Sequence, residues 1–148
     1  MAKFTYRMQN ILDVKYKLET QAKSAFSAAN AKLMQEEEVL SALQKRKKLY
    51  ELAAKSLMKG NINIKEIKEN KRAQQAMDYA ISEQEKTVKK AEEMVYQARE
   101  KLNQVMMERK THEKLKEKQF EEFKQELNMA ENKSIDELVS YSYSNNQD

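Results

Sequence analysis

Apolar residues recur every three or four positions along most of this chain, the spacing of a helix that buries one narrow stripe. Alternating steps of four and three give seven apolar positions in eight, at Phe4, Met8, Ile11, Lys15, Leu18, Ala22, Ala25 and Ala29. An additional step of four, from Ala29 to Leu33, continues the stripe to Leu57. This shift of register predicts a stutter, where a supercoil locally unwinds.

A second stripe, the most regular of the sequence, has eight apolar positions in nine, at Met77, Ile81, Gln84, Val88, Ala91, Val95, Ala98, Leu102 and Val105. After a charged interval, the same spacing resumes at Phe120, Phe123 and Leu127. The pattern therefore predicts two long helices, each with a stripe too narrow to be stable without a partner.

The single glycine, Gly60, lies between these stripes and suits the left-handed residue that follows a helix. Asn63 can cap a new helix, with Glu66 three residues later as in a capping box. We therefore expect one coiled-coil domain over residues 1–148, with helix one at about 4–59, a turn at about 60–63 and helix two at about 64–132.

A further capping box, Ser134 with Glu137, predicts a break near Asn132. Beyond it we expect a short end helix at about 135–140 and a disordered tail at 141–148, because the last residues are polar.

Two such helices joined by a short turn should fold back on each other. The predicted fold is all-α, a two-helix antiparallel coiled-coil hairpin whose second helix is the longer. The expected facing pairs are Leu43 with Ile81, Leu18 with Val105, Phe4 with Phe120, and Lys15 with Glu108. Beyond the overlap, helix two lacks a partner and leaves an apolar face uncovered at Phe123, Leu127, Ile135 and Leu138.

Composition excludes several classes of site. One glycine in 148 residues leaves no glycine-rich phosphate loop, and the absence of cysteine removes disulfides, iron-sulfur clusters and thiolate zinc sites. The single histidine, His112, has the neighbours Lys110, Thr111, Glu113 and Lys114, which resemble neither a metal site nor a catalytic triad. We therefore expect a protein without cofactors or catalysis that works by binding other proteins.

Charge divides the chain. Residues 1–60 carry 12 basic and 6 acidic side chains, residues 61–119 carry 14 and 11, and residues 120–148 carry 2 and 7. The basic part would be attracted to an acidic surface. No apolar run exceeds three residues, against about 20 for a membrane span. We expect a cytoplasmic protein that neither binds nucleic acid nor inserts into the membrane.

Three segments resemble the FliJ family of flagellar export proteins: FTYRMQNILDVK at 4–15, ERKTHEKLKEK at 108–118 and IDEL at 135–138. Glu19 and a turn near residue 60 fit the same layout. The resemblance implies a soluble component of the flagellar type III export apparatus, similar in fold to the two-helix stalk of a rotary ATPase gamma subunit. Such a protein associates peripherally with the inner face of the cell membrane at the flagellar base.

The resemblance also implies three partners: the hexameric export ATPase, whose ring assembly it promotes, the cytoplasmic domain of the membrane export gate, and export chaperones. Family motifs place ATPase binding on Phe4, Met8, Ile11, Leu12, Arg109, Lys110, Glu113, Leu115, Lys118 and Asp136. The uncovered end of helix two adds Phe123 and Leu127. Gate binding falls on Leu43, Tyr50, Ala73, Met77 and Ala80.

Three alternatives stay open at the level of sequence. The homologous stalk of a virulence type III secretion system shares the same physics and differs in its partner. A basic coiled-coil arm that binds structured RNA is favoured by the run Lys45, Arg46, Lys47 and Lys48. A spacer or dimerising coiled coil would bury its uncovered end against a second copy.

Overall fold

The computed structural model describes residues 3–146. Within them are two α-helices, α1 (Gln9–Leu57) and α2 (Ile64–Asn145), of 49 and 82 residues. Lys15 near the start of α1 contacts Glu108 late in α2, and Tyr50 late in α1 contacts Asn70 early in α2. These contacts confirm the all-α, two-helix antiparallel coiled-coil hairpin with a longer second helix.

Contacts along the chain group into two units. Unit 1 holds the described residues of Met1–Glu19 and Gln104–Asp148, and unit 2 holds Thr20–Asn103. Each unit contains a stretch of α1 packed against a stretch of α2. The organisation as a single domain stays a prediction.

The start of α1 differs from the sequence prediction, which began helix one at about residue 4. Residues 3–6 are not helical, and the first turn bonds join Gln9 N to Tyr6 O and Leu12 N to Met8 O. In this non-helical segment Phe4 is half-buried and Tyr6 is 5% exposed.

The turn between the helices follows the sequence signals. Gly60 has φ of +76°, a backbone conformation that costs other residues free energy. The Asn63 side chain accepts a hydrogen bond from Lys65 N at 3.1 Å and so caps α2. Helix one ends at Leu57 and not at about 59, because Met58 and Lys59 bond to carbonyls three residues back and tighten the last turn.

The far end of α2 corrects the sequence prediction. Helix two does not end at about 132, and no separate helix forms at 135–140, because α2 is continuous to Asn145. Residues 141–145, expected in a disordered tail, are helical; residues 147 and 148 of that tail lie outside the described part. Ser134 and Asn132 are tolerated inside a helix. A capping-box pair does not by itself interrupt a helix when no glycine or proline breaks the backbone there.

The buried stripe of α1 has no stutter, so that prediction is wrong. Half-buried or buried positions alternate in steps of three and four without interruption, at Leu12, Lys15, Glu19, Ala22, Phe26, Ala29, Leu33, Glu36, Leu40, Leu43, Lys47, Tyr50, Ala54 and Leu57. Ile11 and Leu18, placed in the stripe by sequence, are 43% and 37% exposed. Apolar counting avoided Glu19, which is in fact 5% exposed.

The stripe of α2 confirms the sequence prediction from Met77 to Val105, since each predicted position is half-buried or buried. The most buried are Val88, Ala91, Val95 and Val105, at 9%, 7%, 7% and 3% exposure. Among the described residues, the large side chain that is fully buried is that of Leu12 in unit 1, at 2% exposure.

Candidate partner-binding surfaces

A buried ion pair joins the two helices in unit 1. Arg109 Nε donates to Glu19 Oε2 at 2.6 Å and Arg109 Nη2 donates to Glu19 Oε1 at 3.1 Å, while Nη1 donates to Glu113 Oε2 at 3.0 Å. The Glu19 and Arg109 side chains are 7% and 17% exposed. The paired carboxylate of Glu19 raises the pKa of Arg109 further. Such a two-pronged pair constrains the geometry of the contact between the two helices as well as its charge.

Two further contacts surround this pair. The Tyr16 hydroxyl donates to Glu113, and the Arg109 guanidinium lies 6.0 Å from the centre of the Tyr16 ring. The bond from Tyr16 holds the pKa of Glu113 below its ordinary value, and the same bond raises the pKa of Tyr16. Lys15 Nζ lies 2.9 Å from Glu108 Oε2, which confirms the pair expected from the sequence.

Contacts between aromatic rings join the start of the chain to α2 in unit 1. The Phe4 ring lies 5.2 Å from that of Phe120 and 5.5 Å from that of Phe123, as expected for the first pair. Lys124 Nζ lies 4.9 Å from the centre of the Phe120 ring. Phe123 is therefore half-buried, which corrects its sequence assignment to the uncovered end.

The rest of α2 in unit 1 is uncovered. Every residue from 124 to 145, called here the exposed segment, is exposed. Its large apolar side chains are Leu127, Met129, Ile135, Leu138, Val139, Tyr141 and Tyr143, which are 36% to 72% exposed. Ile135, Leu138 and Val139 have the spacing of one helix face. An exposed apolar face of this kind is a candidate surface for a partner.

The structure distributes the residues predicted to bind the ATPase over three environments, all in unit 1. Leu12 is buried; Phe4, Met8, Arg109, Glu113 and Phe123 are half-buried; and Ile11, Lys110, Leu115, Lys118, Leu127 and Asp136 are exposed. The exposed group offers the most accessible surface to a partner, although Ile11, Leu115 and Leu127 are only 43%, 41% and 36% exposed. Arg109 and Glu113 are engaged with Tyr16 and Glu19.

All residues predicted to bind the gate lie in unit 2 and are half-buried in the stripe: Leu43, Tyr50, Ala73, Met77 and Ala80. Polar contacts interleave with them. Lys47 Nζ lies 2.6 Å from Asp78 Oδ1, and Asn70 donates to the Tyr50 carbonyl at 3.0 Å. The Asp78 carboxylate raises the pKa of Lys47. The structure thus brings the five residues onto one seam, where they hold the helices together.

Sequence reasoning missed two features of these surfaces. It did not pair Glu19 with Arg109, although a lone acid in an apolar stripe is a signal for a facing base. It also passed over Met129, Val139, Tyr141 and Tyr143, because it expected a break near Asn132 and disorder beyond residue 140.

The described residues contain no group of His, Cys, Asp and Glu side chains that could hold a metal ion. A groove of about 530 Å³ in unit 2 is lined by alanines and Met94 together with four polar or charged residues: Ala25, Ala28, Ala29, Ala91, Met94, Lys32, Glu36, Thr87 and Lys90. Over residues 3–146, neither helix has a stretch both long and apolar enough to cross a membrane.

The fold defines a helical-hairpin protein whose longer helix ends in an exposed segment with apolar side chains. The chain belongs to the family described as flagellar FliJ protein, whose sequence model matches residues 4–148. No curated protein and no solved structure matched this chain. Family membership implies a component of the flagellar export apparatus and favours it over a virulence secretion stalk.

Proposed function

We propose that this protein binds the hexameric export ATPase through the exposed segment of α2 and promotes assembly of its ring. The observation that supports the proposal most is the face formed by Ile135, Leu138 and Val139, which are 56%, 67% and 56% exposed. Residues 120–148 also carry 7 acidic and 2 basic side chains, so the partner surface should be basic as well as apolar.

The family-derived ATPase residues then divide into two roles. The exposed residues contact the ATPase directly; they are Ile11, Lys110, Leu115, Lys118, Leu127 and Asp136. The buried and half-buried residues position that surface by holding the start of the chain and α1 against α2; they are Phe4, Met8, Leu12, Arg109, Glu113 and Phe123.

The test is ATP hydrolysis by the cognate export ATPase with and without this protein. Leu138→Asp should abolish most of the stimulation while helix content by circular dichroism stays unchanged, because the side chain is 67% exposed. Met34→Asp, at 63% exposure in unit 2, is the matched control and should stimulate as the unchanged protein does. Full stimulation by Leu138→Asp would contradict the proposal. Leu127→Asp tests the exposed segment closer to the ring contacts of Phe4 with Phe120 and Phe123.

We propose that unit 2 contacts the cytoplasmic domain of the export gate around Leu43, Tyr50, Ala73, Met77 and Ala80. Since these side chains are half-buried, the gate reaches their outward halves. Met77→Glu should weaken gate binding more than Leu33→Glu, which places the same charge at another half-buried position of the stripe. Equal losses of gate binding would mean that both variants act only by weakening the packing of α1 on α2.

We also propose that the protein escorts export chaperones and works at the cytoplasmic face of the cell membrane at the flagellar base. These assignments follow from the family to which the chain belongs. Copurification of tagged protein with chaperones from export-competent cells, compared with cells lacking the chaperones, tests the first assignment.

A further inference from the structure

Positive charge is concentrated around the turn of unit 2. Residues 45–72, called here the turn segment, carry ten basic and three acidic side chains. The rest of unit 2, residues 20–44 and 73–103, carries seven basic and nine acidic side chains. The excess is therefore a property of the turn segment and is not a general device for solubility.

The same segment exposes aliphatic side chains at the turn itself. Met58, Ile62 and Ile64 are 63%, 61% and 66% exposed, and they bracket Gly60 between the end of α1 and the start of α2. No aromatic residue lies between residues 51 and 72, so the turn offers no ring on which a nucleic-acid base could stack.

Lysines surround these aliphatic residues on both helices. Lys55 and Lys59 precede the turn, Lys65 and Lys68 follow it, and all four are exposed. At about 1.5 Å of rise per residue, Lys55 and Lys68 lie about 3 to 6 Å from their helix ends. Aliphatic side chains at the extremity with lysines a few ångströms behind match the depth of about 5 to 10 Å over which a bilayer changes from acyl chain to headgroup.

We propose that the turn segment docks unit 2 on an anionic phospholipid bilayer. Met58, Ile62 and Ile64 enter the interfacial region, and the flanking lysines lie among the lipid phosphates. Eight of the ten basic residues are lysines, which act as mobile point charges and suit a diffuse layer of phosphates. An acidic site on a protein would favour arginine, whose planar fork pairs with individual carboxylates. The interaction is peripheral and independent of ATPase binding.

Cosedimentation of the full chain with vesicles tests the proposal. The protein should bind vesicles of phosphatidylcholine containing about a third phosphatidylglycerol at least tenfold more tightly than phosphatidylcholine alone, and added salt should weaken binding. Absence of binding to the anionic vesicles at physiological ionic strength would overturn the proposal.

Removing the aliphatic contacts should weaken the docking. Met58→Asp combined with Ile62→Asp should lower vesicle affinity about tenfold or more, because two side chains lose their burial in the interface. Both positions lie outside the helices, so helix content should not change. Met34→Asp combined with Met94→Asp adds the same charges at positions 63% and 60% exposed elsewhere in unit 2. A comparable loss in this control would show that only net charge matters and would overturn the insertion.

Removing the positive charge should have an effect of at least similar size. Glutamine at Lys55, Lys59, Lys65 and Lys68 should lower affinity for anionic vesicles at least tenfold and reduce its dependence on salt. The matched control replaces four exposed lysines of unit 2 outside the turn segment, namely Lys86, Lys89, Lys90 and Lys101. Equal losses in the two variants would overturn the assignment to the turn.

A protein partner for the turn segment gives a different result. In that case, the aliphatic and lysine variants would lose binding to the purified cytoplasmic domain of the gate while their vesicle affinity stays that of the unchanged protein. This outcome would replace the bilayer by an acidic protein surface as the occupant.

Discussion

The two units hold the same pair of helices together by different means. Unit 1 buries Leu12 to 2%, encloses the Glu19–Arg109 ion pair and adds the ring contacts of Phe4. Unit 2 buries smaller side chains, Ala22, Val88, Ala91 and Val95, to between 7% and 9%, and adds polar contacts such as Gln84 to the Glu36 carbonyl at 2.9 Å. A narrow stripe can therefore be stabilised either by a large buried side chain with a specific ion pair or by small buried side chains with more exposed polar contacts.

The largest expected effect is the loss of the buried leucine of unit 1. Leu12→Ala should lower the free energy of unfolding by about 3 kcal/mol, because it removes packed methyl groups and leaves a cavity. Leu40→Ala, at a half-buried position of unit 2, should cost less, since water already reaches part of that side chain. Urea denaturation followed by circular dichroism measures both. Equal costs would remove the distinction between the units.

Next in size is the loss of the buried carboxylate. Glu19→Ala leaves the largely buried Arg109 without its two-pronged partner, so the urea midpoint should fall further than for Lys15→Ala, whose pair has side chains 23% and 43% exposed. Adding Arg109→Met to Glu19→Ala should recover part of the loss, because the two residues act together. Additive losses in the double variant would count against the coupling.

A smaller effect is the pH dependence of unit 1. The pKa of Tyr16 is raised above its ordinary 10.0 by the bond to Glu113, so the contribution of that bond to stability is complete below pH 10 and lost as pH rises through the higher folded value. The pKa of Glu113 is lowered from 4.5, so its contribution is complete above pH 4.5 and lost as pH falls through the lower folded value.

Tyrosinate absorbance measures the alkaline limb. In the folded protein, Tyr16 should ionise in a late step above pH 10, and Tyr16→Phe should remove that late step. Tyr79→Phe, which replaces a ring 70% exposed in unit 2, should leave the late step in place. A late step that persists in Tyr16→Phe would belong to another tyrosine and would contradict the assignment.

The smallest effect is expected from the ion pair of unit 2. Lys47→Gln breaks the contact with Asp78, but these side chains are 35% and 57% exposed and water already screens their charges. The urea midpoint should move by little more than the error of the measurement, and less at high salt than at low salt. A loss as large as that of Glu19→Ala would show that unit 2 also depends on specific charge pairs.

The spacing of apolar residues predicted the two helices, and Gly60 with the cap at Asn63 predicted the turn between them. The antiparallel pairing follows because two helices joined by a short turn fold back on each other. A narrow stripe requires a partner, and one glycine allows one turn. The Phe4–Phe120 and Lys15–Glu108 pairs follow from the position of the turn and the rise of a helix.

Apolar counting alone could not place Glu19 in the stripe, because a buried acid is favourable only when a base faces it from the other helix. The observed stripe takes Glu19 and Phe26 where apolar counting took Leu18 and Ala25, and with these two positions its steps of three and four continue without a stutter. The non-helical start also lay beyond apolar counting, because Phe4 is half-buried through ring contacts with Phe120 and Phe123 on α2, more than a hundred residues away in the chain.

The candidate surfaces divide in the same way. The sequence itself determined that α2 is longer than its partner, that its end is acidic and apolar, and that basic residues cluster around the turn. Only the tertiary structure decided which side chains face outward. It engaged Phe123, Arg109 and Glu113 in contacts within unit 1 and left Ile135, Leu138 and Val139 exposed. Exposure depends on what the opposite helix supplies at each level, and that information lies about a hundred residues away in the chain.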